Sequence, residues 1–288
     1  MAPRYCVDVS DLDLFRPEPH GQTAIERALF QEAYLSQSLL CSGMTSIRRL
    51  SFNDPGRAFE AFFGLSNGVE RIAKLILVSD HYARTSQFPD TGILKSYGHN
   101  LRRLLERVEA VASERQVVLE DAPSEDTGSK AVVDFLTTFA RTDRYYNINR
   151  LVQGDGDVID DPVSRWVDLV KSHAPAKRRR MPTEKEQEHL ALARNLDASG
   201  LPILMNFNAL SGVSLGNVER AVAQNYEDDW IGVEGMLLAL RPLRFLTKTI
   251  WCLNNARQAL PYYSEIFVDW AAPDSHLRKR RGFPRGRN

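Results

Sequence analysis

One stretch constrains the fold of this chain more than any other. Between Pro55 and Arg84, apolar residues recur in alternating steps of four and three: Ala58, Phe62, Leu65, Val69, Ile72 and Ile76. At 100° per residue this series draws a narrow seam along one long helix, which a strand of period two cannot reproduce. Gly64 and Gly68 lie one turn apart in the same stretch. Each costs helix propensity, about 1 kcal/mol relative to alanine, and each lets a neighbouring backbone come close. Asn53-Asp54-Pro55 supplies the start, a capping side chain followed by a proline where no backbone donor is missed.

The rest of the chain reads in the same way, and the expected fold class is all-α. Helices are expected from Gln22 to about Met44, from His99 to Glu114, from Ser129 to Leu151 and from Asp161 to Ser172. Thr183-Glu-Lys-Glu186 is a capping box, and further helices follow over about Glu184–Ala198, Ile203–Ser211, Leu215–Tyr226 and Asp229–Leu260, the last broken at Pro242. Pro261 opens another, to Trp270. Gln116-Val-Val-Leu119 is the sole strand-like run and is too short to pair. Ala174-Pro-Ala-Lys-Arg-Arg-Arg-Met-Pro182 combines prolines with four successive cations and marks a boundary. The organisation expected is an arm over 1–21, a helical domain over 22–173, a basic linker over 174–182, a second helical bundle over 183–272 and a basic tail over 273–288, disordered in isolation.

Bulk properties exclude more than they select. Lys and Arg total 37 and Asp and Glu total 37, so any nucleic-acid footprint must be local. Cys6, Cys41 and Cys252 are far apart and odd in number, which is neither a disulfide framework nor a zinc spacing. No apolar leader opens the sequence, and Leu75–Val78 and Met236–Leu240 fall far short of the ~20 residues that cross a bilayer; a cytoplasmic protein without membrane contact is expected. Asp155, Asp157, Asp160 and Asp161 crowd one loop without calcium-loop spacing, and Asp161 serves better as a helix cap. No cofactor and no metal are expected.

The stretch Phe139–Leu151 departs from simple packing. On an unbroken helix, Val132, Leu136, Phe139 and Tyr146 share a face with Asp143 and Asn147, and Arg150 follows a turn later. Polar groups on a core-facing stripe need partners, because an unpaired buried one costs about 1–3 kcal/mol. Something is therefore bound or bridged here, and Arg141, Asp143, Arg144, Tyr145 and Asn147 of this stretch are the candidate ligand-binding residues. Arginine's fork suits phosphate, and a tyrosine face suits a base. Lys177, Arg178, Arg179 and Arg180, with Arg278, Lys279, Arg280 and Arg281, are candidate contacts to nucleic-acid phosphates.

Gly68-Val-Glu70-Arg-Ile-Ala-Lys74-Leu-Ile-Leu77, then Tyr97-Gly-His99-Asn100-Leu101-Arg-Arg-Leu104, then Arg141, Arg144, Tyr145 and Asn147 come in an order that resembles the HEPN-type four-helix domains of prokaryotes. The resemblance covers roughly residues 22–172. It implies an RNA- or nucleotide-binding protein, a prokaryotic defence or stress setting, and a homodimer formed across the Ala58–Ile76 seam or the final domain helix. Many such domains are metal-independent ribonucleases whose signature is an arginine followed by a histidine with four to six residues between. None of the six histidines here has an arginine at that spacing. The nearest substitute, Arg141 with Asn147, lacks a general base. A ribonuclease using altered residues, His99 as proton carrier with Arg144 holding phosphate, stands as the alternative to a binding protein. A protein–protein adaptor is the third reading.

Overall fold

The computed structural model describes residues 23–153, 161–174, 183–199, 207–255 and 263–283. These form α-helices, with no strand among them beyond an isolated bridge between Asn208 and Ser214. The N-terminal arm, the 154–160 loop and the basic run Lys177–Arg180 lie outside the described residues.

Helix α1 (Ala24–Arg48) starts at a capping box made by Thr23 and Glu26. It packs along α2 (Gly56–Thr85). Every residue of the expected seam is buried in that helix, from Ala58 to Ile76. The glycines explain how close the two helices run. A Cβ on Gly64 would stand 2.9 Å from the Gly43 amide nitrogen and 2.9 Å from the Leu39 carbonyl oxygen, and one on Gly43 would meet Leu65 and the Ala61 carbonyl. Because its own chain consumes the seam, it cannot serve as the dimer face that the resemblance implied. The start of α2 also differs from expectation. Asp54 binds the Arg57 guanidinium instead of capping backbone amides, and Pro55 precedes the first helical residue without a side-chain cap.

A short helix absent from the sequence reading, α3 (Thr91–Tyr97), carries the chain back along α2, so that α4 (Leu101–Glu114) runs parallel to α2. The side-chain ties give the direction: His99 meets Glu70, Arg115 meets Asp80 and Glu114 meets Arg84. Helix α5 (Thr127–Arg141) then runs antiparallel to α4, with Ser124 on Glu109 and Asp134 on Arg102. Phe62 of α2 meets Phe135 and Phe139 of α5 edge-on, at 4.8 and 5.3 Å between ring centres. Helix α7 (Pro162–His173), capped by Asp161 as expected, adds the fully buried Trp166 to that aromatic cluster.

Helix α8 (Glu184–Ala198) has the predicted Thr183–Glu186 capping box and buries Ala193 against α9 (Val218–Asn255). Two expectations fail nearby. Residues 207–217 form a tight turn around the Asn208–Ser214 bridge where the end of a helix was expected. The predicted helices on either side of residue 228 are one helix, continuous through Pro242. Tertiary packing outweighs the lost backbone bond: Leu240 and Leu243 on either side are buried, and Arg241 binds Asp126, the cap of α5. Residues of α9 join those of α1, α2, α4, α5 and α7 in one core, so the elements on both sides of the 174–182 boundary share an interior.

The basic tail departs most from expectation. After a 3₁₀ segment (Ser264–Ala271) and α10 (Asp274–Leu277), the chain straps across α1 and α9. Trp270 donates to Gln37, Arg278 grips the buried Glu234 through both carboxylate oxygens, and Arg48 and Arg49 donate to the carbonyls of Arg280 and Arg281. Phe283 is buried against Trp270, with its amide on the Thr45 hydroxyl at 2.8 Å. The strap orders because its apolar anchors and backbone groups find partners, which a reading of its charge alone does not reveal.

Candidate functional site

The predicted Ser129–Leu151 helix is broken. Helix α5 stops at Arg141, Thr142 leaves helical geometry at φ −123°, a 3₁₀ turn spans Asp143–Tyr145, and α6 (Tyr146–Gln153) follows. The hydroxyls of Thr137, Thr138 and Thr142 each donate to the carbonyl four residues back, at 2.7, 3.0 and 2.9 Å. Such back-bonding bends helices. Asp143 then turns inward to form an ion pair with Arg165 of α7, its side chain only 12% exposed.

The break separates residues expected on one face. Asp143 is an internal structural ion-pair partner. Tyr146 is buried, and its hydroxyl accepts from Arg150 at 3.1 Å. Arg141, Tyr145 and Asn147 face solvent, so Asn147 does not share the core stripe with Asp143. Arg144 lies between these groups. Its guanidinium sits 5.9 Å from the centre of the Phe63 ring, while its Nε is closed off from solvent without a hydrogen-bond partner.

His99 stands just before α4, on the other side of the same α2 face. Its Nδ1 lies 2.8 Å from Glu70 Oε1, which also accepts from Lys74 at 2.7 Å. Glu70 is largely covered, whereas the His99 ring is 84% exposed. A carboxylate on Nδ1 favours the tautomer with its proton there, which leaves Nε2 as an outward-facing acceptor. Phe63 and Glu70 are seven residues apart on α2, nearly two full turns. They therefore project from one face about 10 Å apart along the axis. Asn67 lies between them and spends its side-chain amide on the Phe63 carbonyl. The structure thus brings His99 and Arg144 to opposite ends of one short strip of α2.

The start of α4, next to His99, carries two arginines. Arg102 and Arg103 occupy the first turn of α4, the end where the helix macrodipole already favours an anion. Asp134 answers Arg102, and the Glu70 carboxylate answers both Lys74 and His99. Arg103 is exposed. Cations here cost a few tenths of a kcal/mol each unless an anion is supplied.

Of the predicted phosphate contacts in the tail, Arg278 is committed to Glu234 and Arg280 lies over the Phe283 ring, while Lys279 and Arg281 are exposed. Sequence reasoning missed Phe63 as the platform under Arg144, and it missed the link between Glu70 and His99. The only available signal for either was the seven-residue spacing of Phe63 and Glu70 on α2. It also missed a shallow cavity of about 200 Å³ between α4 and α5, floored by Leu105 and Val133. Beside it burial pushes the Glu109 carboxyl above its ordinary range, against the Ser124 amide that pulls it down. Among the described residues no group of three or more His, Cys, Asp or Glu is placed to hold a metal ion, and no helix is long and apolar enough to cross a membrane. No family model matches the chain, and no curated protein or solved structure is similar enough to it to count as a match.

Proposed function

We propose that this chain binds a phosphate-bearing ligand, RNA or a nucleotide, along the α2 strip between Arg144 and His99. The observation that carries the reading is Arg144: a guanidinium laid on Phe63, with one nitrogen buried and unpartnered, at the end of a strip whose other end is the Glu70–His99 pair. A guanidinium held on a ring is preorganised to present its remaining N–H groups to a phosphate. The exposed Tyr145, next in sequence, offers a face for a base, and Asn147 offers an amide for its edge. The order of motifs that resembles HEPN-type domains favours RNA over other phosphate carriers.

The test is binding of a fluorescent single-stranded RNA across a salt series. Affinity should fall steadily as salt rises, because phosphate contacts release counterions. Arg144→Ala should weaken binding about tenfold, and His99→Ala should weaken it less. Salt-independent binding, or equal affinity for both variants and the parent, overturns the reading. A second reading, ribonuclease, is favoured by one feature: with Nδ1 on Glu70, the outward Nε2 of His99 is placed to take a proton. It predicts cleavage of a mixed RNA pool without added metal, lost in both His99→Ala and Arg144→Ala. Cleavage that survives either change removes it.

A further inference from the structure

The strap presents its cations unequally. From Arg278 to Arg281 half-buried and exposed residues alternate. Arg278 turns inward to Glu234, and Arg280 lies over the Phe283 ring. Lys279 and Arg281 face outward, two residues and at most about 7 Å of backbone apart. Arg49, exposed at the end of α1, joins them. Its Nε donates to the Arg281 carbonyl at 2.8 Å, and a Cβ on Gly282 would stand 3.4 Å from one of its terminal nitrogens. The ion pairs of this region join Arg48 to Asp229, Arg244 to Asp274 and Arg278 to Glu234. Glu60 of α2 lies a turn back along α1, against Ser46. Among the described residues no ion pair includes Arg49, Lys279 or Arg281. Because Arg48, Thr45 and the buried Phe283 pin the strap, these three cations stand on fixed backbone. They lie within about one Debye length of each other and repel until an anion is supplied.

The chemistry of the surface selects the anion. Tyr263, Phe267, Trp270 and Phe283, the aromatic residues of the described strap, are all buried, as is Leu277. A protein partner, acidic or not, is held chiefly by buried apolar and aromatic anchors, and exposed ion pairs add little. This surface offers no such anchor. A nucleic-acid backbone needs none, because its charge density and the release of its counterions supply the affinity. The residues that follow Phe283 include two arginines and no acid, so the sequence brings in no competing carboxylate there. We infer that Arg49, Lys279 and Arg281 form a ledge that holds phosphates of a nucleic-acid strand without reading its bases. Arg278 and Arg280 serve the strap itself. The inference rests on the phosphate reading above only in the choice of polymer, and the ledge uses none of the residues of the α2 strip.

The test is fluorescence anisotropy of the full chain with a labelled single strand of mixed sequence, repeated across a salt series. The Lys279→Gln, Arg281→Gln double variant removes two exposed side chains and leaves the backbone contacts of the strap in place. Each phosphate contact adds about 0.7 to the slope of log affinity against log salt for a single strand. The double variant should therefore lose about 1.4 of slope and bind about tenfold more weakly at low salt, for RNA and DNA strands and for different base sequences alike. Lys279→Arg with Arg281→Lys should keep the parent's slope. Arg49→Gln should lower the slope by about 0.7 where Arg49→Lys does not, which separates its charge from its contact with the strap. Arg27→Gln with Arg220→Gln removes the same charge at exposed positions elsewhere and should leave the slope unchanged. An unchanged slope in the Lys279, Arg281 double variant, an equal loss in the Arg27, Arg220 variant, or polyglutamate bound as tightly as the strand overturns the inference. A loss confined to Arg144→Ala removes the ledge and leaves the α2 strip; a loss confined to the ledge variants does the reverse.

Discussion

The α1–α2 interface and the α5–α6 corner are built from the same kind of helix but solve opposite problems. Between α1 and α2, glycines bring two backbones together and every seam residue is buried. At the α5–α6 corner, hydroxyls bend the helix, one carboxylate goes inward, and a guanidinium and an apolar face are left toward solvent. The first region spends its side chains entirely on stability. The second holds polar and apolar groups that stability does not require, so a ligand or partner is to be sought there.

Substitutions should separate the two regions by size of effect. Phe62→Ala removes the ring that meets Phe135, Phe139 and Trp166. It should cost about 4 kcal/mol in denaturant unfolding; a loss under about 1 kcal/mol would mean that the aromatic cluster is not the centre of the core. Gly64→Ala should cost about 2–3 kcal/mol, because its Cβ meets backbone atoms that cannot rotate away. A neutral result would show that α1 and α2 stand further apart than described. Arg165→Ala, at the corner, strands the covered Asp143 carboxylate and should cost about 2 kcal/mol. Tyr145→Ala and Ile148→Ser, a few residues away, should stay within about 0.5 kcal/mol. Equal costs for Arg165→Ala and Tyr145→Ala would erase the distinction drawn here between the inward and outward sides of the corner.

A smaller effect is expected with pH. Asp228 is 2% exposed, and burial pushes its carboxyl above the ordinary range, although Gln224 and the Phe52 amide pull it down. An acid bound more tightly to its proton in the folded state contributes stability that is fully present below its unfolded pKa. That contribution is lost as pH rises through the raised folded value. Compared with Asp228→Asn, the parent protein should therefore lose relative stability as pH rises across the range above about 4, the ordinary aspartate value. A difference that is constant across that range would contradict a raised value.

Legibility followed the physics of each region. The α2 seam, its close-approach glycines and the caps at Asp161 and Thr183 were readable because each depends on neighbours within a turn or two. The continuity of α9 through Pro242 was not, because buried residues on both sides and the Arg241–Asp126 ion pair decide it from 115 residues away. Arg144 was singled out with Arg141, Tyr145 and Asn147 as part of a polar motif at the end of the expected helix. The helix itself was wrong, since three threonine hydroxyls and the pull of Arg165 on Asp143 compete with regular geometry. Glu70 and Lys74 read as an ordinary pair, which they are; that the same carboxylate holds His99 depends on the return path through α3, for which no periodicity gives a sign.

The strap over α1 has a consequence for how the molecule is made. The Thr45 hydroxyl and the Phe283 amide are 238 residues apart in sequence. As the polypeptide leaves the ribosome, α1 and α2 can pair early, but Gln37 waits for Trp270 and the end of α1 waits for Phe283. During that interval the nascent chain displays an uncovered apolar flank, so chaperones and translation speed have a natural point of action there.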